Sequence, residues 1–84
     1  MKKRFEWSPQ ARNDLREIER EQAMQILIAL TRCGLTGEGD IKHLGGKLTG
    51  TRRLRVGDWR VRFQERKGDV IYILAVSHRS EAYR

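Results

Sequence analysis

Residues 53–63, RLRVGDWRVRF, alternate with period two on both sides of a Gly-Asp pair. Leu54 and Val56 fall on one face and Arg53 and Arg55 on the other. After Gly57-Asp58, Trp59, Val61 and Phe63 repeat the apolar face, and Arg60 and Arg62 repeat the basic one. A Gly-Asp pair between two such runs predicts a β-hairpin closed by a two-residue turn. Its apolar face has to be buried against another layer, so the rest of the chain must supply helices to cover it.

The first half supplies them. A short alternating stretch, KKRFEW, ends at Ser8-Pro9, the pattern of a helix N-cap followed by proline at the first helical position. Trp7, Ala11, Leu15 and Ile18 recur at helical spacing, and Ala23, Ile26, Leu27, Leu30 and Cys33 continue it with a change of phase near IEREQ. That shift predicts two helices packed as a hairpin, and Gly34 in CGLTGEGD is a candidate C-cap for the second. Beyond the arginine-rich hairpin, Lys67-Gly68-Asp69 predicts a turn. VIYILAV follows it, apolar on both faces and so expected in the middle of its sheet. The expected fold class is α+β: strand, helix, helix, then a three-stranded antiparallel meander, in one domain over residues 1–84 with no repeats or linkers.

Composition narrows the chemistry. With 84 residues, 38% of them hydrophobic, the apolar residues are all needed for the core and leave no room for a large cofactor pocket. Cys33 is the one cysteine, which excludes an internal disulfide and fits a small buried hydrophobe in a reducing compartment. MKKR is followed by a polar stretch, and no apolar run long enough to span a bilayer occurs, so a soluble cytoplasmic protein without membrane attachment is expected. Neither GLTGEG nor LGGKLTG has the lysine and hydroxyl pattern of a phosphate-binding loop. His43, His78 and Cys33 show no metal-ligand spacing, so neither metal nor cofactor is expected.

Charge is the more telling property. Residues 1–41 carry equal numbers of basic and acidic side chains, whereas residues 42–84 carry eleven Lys/Arg against four Asp/Glu, which accounts for the whole net charge of +7. Any one arginine of the hairpin is equally well read as a solvated guard against edge-to-edge pairing. Four on one face, with Asp58 the one acid in 52–63, repel one another unless an anion lies between them, and the guanidinium fork suits phosphate oxygens. The C-terminal HRSEAYR adds His78, Arg79 and Tyr83. Cleavage of RNA through its 2′-hydroxyl needs a base, cations for the pentavalent phosphate and an acid for the leaving oxygen, and these residue types match those needs. Each of them taken singly is more often structural.

The segments KHLGGKLTGTRRLRVGDWRVRFQ and VIYILAVSHRSEAYR resemble the RelE/ParE superfamily of toxins, specifically its RelE-like branch. That branch shows a lysine-leucine-x-glycine segment, an arginine-rich strand ending in Gly-Asp-aromatic-Arg-Val, and a closing His-Arg-x-x-x-Tyr. The resemblance covers residues 42–84 closely and implies a twisted antiparallel sheet with a helical hairpin packed on one side. It implies the toxin of a type II toxin–antitoxin pair, a metal-independent endoribonuclease that enters the ribosomal A site and cuts mRNA by 2′-hydroxyl attack. The implied catalytic set is Arg53, Arg55, Arg60, His78, Arg79 and Tyr83, with Arg60 as phosphate stabiliser and RNA or ribosome contacts from Lys42, Lys47, Arg52 and Arg62. The implied partners are a cognate acidic antitoxin, the ribosome and mRNA. Arginines stand at 53 and 55 where well-known members carry lysine, which shifts the expected proton acceptor to His78, since a guanidinium is far too basic for that role. Two other functions fit the same residues: inhibition of DNA gyrase in the ParE manner, and RNA binding without catalysis in a decayed toxin.

Overall fold

The computed structural model describes residues 3–46 and 50–79. Its elements are β1 (Arg4–Trp7), α1 (Pro9–Arg16), α2 (Arg20–Thr36), β2 (Asp40–His43), β3 (Arg52–Val56), β4 (Trp59–Arg66) and β5 (Val70–His78). They form a five-stranded sheet in the order β1-β5-β4-β3-β2 with the two helices on one side. The α+β class, the helical pair and the β3–β4–β5 meander agree with the sequence reading, and β5 is an inner strand, flanked by β1 and β4.

Two features of the sheet differ from that reading. Asp40–His43 forms a fifth strand, antiparallel to β3 with Ile41 opposite Leu54. Its four residues contain a single apolar side chain, too little for alternation to register. The sheet is also mixed: β1 runs parallel to β5, because the chain passes through both helices and the rest of the sheet before β5 returns beside it.

Local chemistry sets the boundaries. Ser8 caps α1, its Oγ accepting from the Ala11 amide at 3.0 Å, and Pro9 occupies the first turn. The helix-breaking residue of α2 is Gly37, in the left-handed conformation at φ 75°, and not Gly34. Gly34 lies inside the helix for a packing reason: a Cβ there would meet the Phe5 ring at 2.8 Å. In the β3–β4 turn Gly57 has φ 59° while Asp58 keeps negative φ, the pattern of a type II′ turn.

The core lies between helices and sheet. Ala11, Ile26, Leu30 and Cys33 from the helices meet Leu54, Val61, Phe63, Ile71, Ile73 and Val76 from the strands. Burial pushes the Cys33 thiol above its ordinary pKa, and the Glu65 carboxylate adds to the effect.

One irregularity in β5 controls which residues face which way. Phe63 pairs with Ile73 but Arg62 pairs with Ala75, so Leu74 is an extra residue, a β-bulge. Helix α1 and its cap hold it from outside: Ser8 Oγ donates to the Leu74 carbonyl at 2.8 Å, and Asp14 Oδ2 accepts from the Val76 amide at 2.9 Å. Before the bulge, odd-numbered residues of β5 face the helices; after it, even-numbered ones do.

Candidate functional site

The strand register gathers the arginines. Arg53 lies opposite Arg62 and Arg55 opposite Arg60, so all four share the sheet face turned away from the helices. Two rows cross that face: Asp40, Arg55, Arg60 and Ser77 in one, and Lys42, Arg53, Arg62 and Ala75 in the other. Lys42 therefore shares this face with the arginines.

The four side chains are unequal. Arg55 is exposed, Arg53 and Arg62 are half-buried, and Arg60 is only 7% exposed. Arg60 Nη1 donates to the carbonyls of Gly57 and Trp59, each at 3.2 Å, and Arg55 Nε donates to the same Gly57 oxygen at 3.4 Å. Gly57, whose positive φ turns the chain here, thus sets two guanidinium groups side by side at the hairpin end. The Nε atoms of Arg53 and Arg60 are buried without an acceptor among the described residues. Among the described residues, no carboxylate forms an ion pair with any of the four, although Asp40 stands opposite Arg55. Leaving such donors buried is costly, and the guanidinium groups that do reach the surface, Arg55 and the half-buried Arg53 and Arg62, have the fork geometry that suits an oxyanion.

Arg79 lies beside this end. Its amide donates to the Asp58 carbonyl at 2.7 Å and its Nη1 is 3.8 Å from Asp58 Oδ1. Tyr72, which the sequence reading passed over, is on the arginine face too, opposite Gln64, with the Arg66 guanidinium 3.9 Å above its ring. Its signal was slight: it is the one side chain with a polar tip in VIYILAV.

Two expected residues point elsewhere. His78 pairs with Trp59 on the helix side, their rings edge to face at 5.1 Å between centroids. Strict alternation would give His78 the same face as Tyr72; the extra residue at Leu74 inverts that parity and takes His78 away from the arginines. Arg52 likewise belongs to the helix side, where its Nη1 is 2.6 Å from Glu65 Oε1 and Lys3 Nζ is 3.3 Å from the same oxygen. Lys47 and Tyr83 lie outside the described residues.

Trp59 faces the helices, and its Nε1 donates to Gln22 Oε1 of α2 at 3.0 Å. The aromatic residue amid the arginines thus ties the hairpin to the helical layer. Among the described residues, no group of His, Cys, Asp and Glu side chains has the arrangement of a metal site, and no helix is long and apolar enough to cross a membrane.

Residues 5–83 match the family model described as the ParE toxin of the type II toxin–antitoxin system parDE. Comparison of the sequence with curated proteins gives no match. Among solved structures, the fold is similar to the archaeal RelE–RelB complex from Pyrococcus horikoshii OT3, at 25% identity and TM-score 0.78 over 96% of this chain and 99% of that one. It is also similar to the toxin–antitoxin complex RelBE2 from Mycobacterium tuberculosis, at 24% identity and TM-score 0.78 over 94% and 100%. A third similar fold is that of the YoeB–YefM complex from Staphylococcus aureus, at 20% identity and TM-score 0.76 over 93% and 98%. With the family model spanning nearly the whole chain and the fold in agreement, the chain belongs to the RelE/ParE family of toxins of type II toxin–antitoxin systems.

Proposed function

We propose that this toxin is a ribosome-dependent endoribonuclease that cuts mRNA in the A site by attack of the 2′-hydroxyl on the adjacent phosphate. The observation that carries the reading is the arginine face, where Arg53, Arg55, Arg60 and Arg62 stand together with no carboxylate paired to them among the described residues. In the reaction the 2′-hydroxyl loses its proton to water as its oxygen bonds to phosphorus. The bond from phosphorus to the 5′-oxygen breaks and that oxygen takes a proton from water, leaving a 2′,3′-cyclic phosphate and a 5′-hydroxyl, and charge builds on the non-bridging oxygens in between. Arg60, fixed by two carbonyls, and Arg55 beside it hold that charge in place. Arg53, Arg62 and Lys42 extend the cationic track along the RNA backbone. His78 does not serve as the base, because its ring lies against Trp59 on the other side of the sheet. Catalysis here rests on electrostatic stabilisation more than on a positioned imidazole.

The same reading includes a cognate antitoxin. On α2, Met24, Ile28 and Leu35 are 51–60% exposed and line an open groove of about 480 Å³ with Leu27, Thr31 and Arg32. An exposed apolar stripe of this kind suits the apolar face of a partner helix, and Arg32 suits an acidic flank.

Primer extension on mRNA held in purified ribosomes, with naked RNA as control, tests the nuclease. Cleavage at the A-site codon that requires the ribosome supports it. The ParE family match favours a second reading, inhibition of DNA gyrase. Intact mRNA together with blocked supercoiling by folded, antitoxin-free protein establishes that one instead, and intact mRNA with normal supercoiling leaves a non-catalytic RNA binder.

A further inference from the structure

On the helix side of the hairpin, a cleft of about 210 Å³ opens between the first turns of α2 and the β3–β4 turn, lined by Gln22, Gln25, Asp58, Trp59 and His78. We propose that it holds a nucleobase, adenine, of the RNA whose phosphates lie on the arginine face; this rests on the reading of that face as an RNA site.

The lining has the character of a base pocket. The Trp59 and His78 rings, edge to face at 5.1 Å, supply an aromatic wall. Gln22 is committed to Trp59 Nε1, which fixes that wall. Gln25 is exposed one turn further along α2, with no side-chain hydrogen bond among the described residues, so its amide presents both a donor and an acceptor to the cleft. A glutamine amide pairs in two places with the N6 and N7 of adenine, and the Asp58 carboxylate accepts from the second N6 hydrogen. Uracil matches the glutamine amide with its N3–H and O4 but has no amino hydrogen for Asp58, whose carboxylate would face uracil's carbonyl oxygens and exclude it.

The cleft and the arginine face meet at one structural feature. Gly57 and Asp58 form its rim, and the Gly57 carbonyl on that rim is the oxygen shared by Arg55 and Arg60. A strand with a phosphate at this end of the face brings a neighbouring base around the turn into the cleft.

The test measures binding of 2′-O-methyl oligonucleotides, which have no nucleophile, by fluorescence anisotropy at one salt concentration. Oligo-A and oligo-U of equal length are compared with wild-type protein and Gln25→Ala. The expected result is roughly tenfold tighter binding of oligo-A by the wild type. Gln25→Ala should reduce that preference to within about twofold and leave oligo-U affinity unchanged. Equal affinities in the wild type, or a preference that survives Gln25→Ala, overturns the assignment. So does a Gln25→Ala protein that binds both oligonucleotides normally but loses affinity for its antitoxin, which makes the cleft a protein contact. Cleavage is not read in this experiment, so a protein that shows the preference yet leaves ribosome-bound mRNA intact retains the cleft and loses only the nuclease reading.

Discussion

The two faces of the β3–β4 hairpin are built from alternate residues of the same eleven and differ in almost every physical respect. On one, Leu54, Val61 and Phe63 are buried against two helices and their cost of ordering is met by loss of apolar surface from water. On the other, Arg53, Arg55, Arg60 and Arg62 are packed side by side with no paired carboxylate among the described residues. Arg52, on the helix side of β3, behaves otherwise: it is paired with Glu65. On the proposed reading the difference matters because the four unpaired guanidinium groups stand together on one face, where a single anion can meet several of them.

Substitutions can break this comparison. The largest effect on stability is expected from the helix face: Phe63→Ala should cost about 3–5 kcal/mol, seen as a lower denaturant midpoint, while the fraction still folded binds RNA as before. Gly34→Ala gains about 1 kcal/mol of helix propensity but forces a methyl into the Phe5 ring, at an overpacking cost of about 1–3 kcal/mol. A net loss of up to about 2 kcal/mol is expected in chemical denaturation. Ser8→Ala should cost about 1 kcal/mol by removing the α1 cap and the bond to the bulge, and nuclear magnetic resonance shifts at Leu74 to His78 would report the loosened bulge.

On the arginine face the signature is reversed. Arg55→Ala should leave stability within about 0.5 kcal/mol and lower the slope of log affinity against log salt by about 0.7 for single-stranded RNA. An unchanged slope would mean that this exposed guanidinium does not meet phosphate. The smallest effect concerns Cys33. Because its folded pKa is raised, its contribution to stability is full below the unfolded thiol pKa and declines as pH rises past it toward the folded value. Cys33→Ala should therefore flatten the alkaline part of the stability profile slightly, measured as denaturant midpoint between neutral pH and about pH 10.

Much of this was legible in the chain. Ser8-Pro9 marked the start of α1, the phase shift at IEREQ separated the helices, and the Gly57-Asp58 pair fixed the hairpin and thereby the shared face of the four arginines. These are local signals, carried by residues next to one another. What was not legible depends on residues far apart. Gly34 looks like a helix stop until Phe5 is seen against it. The side taken by His78 depends on a bulge at Leu74, held by Ser8 and Asp14 from the other end of the chain. The burial of Arg60 and its tie to Gly57 are likewise properties of the folded turn.

The central claim is that phosphate chemistry belongs to the arginine face alone. Its most direct test is the single-turnover cleavage rate of mRNA in programmed ribosomes, for Arg60→Ala beside Arg52→Ala, with folding of both checked by circular dichroism. The account predicts a fall of about 10²–10³-fold for Arg60→Ala, the size expected on losing one preorganised donor to the transition state, and a rate within about twofold of wild type for Arg52→Ala. Equal losses in the two variants, or undiminished cleavage by folded Arg60→Ala, would contradict it.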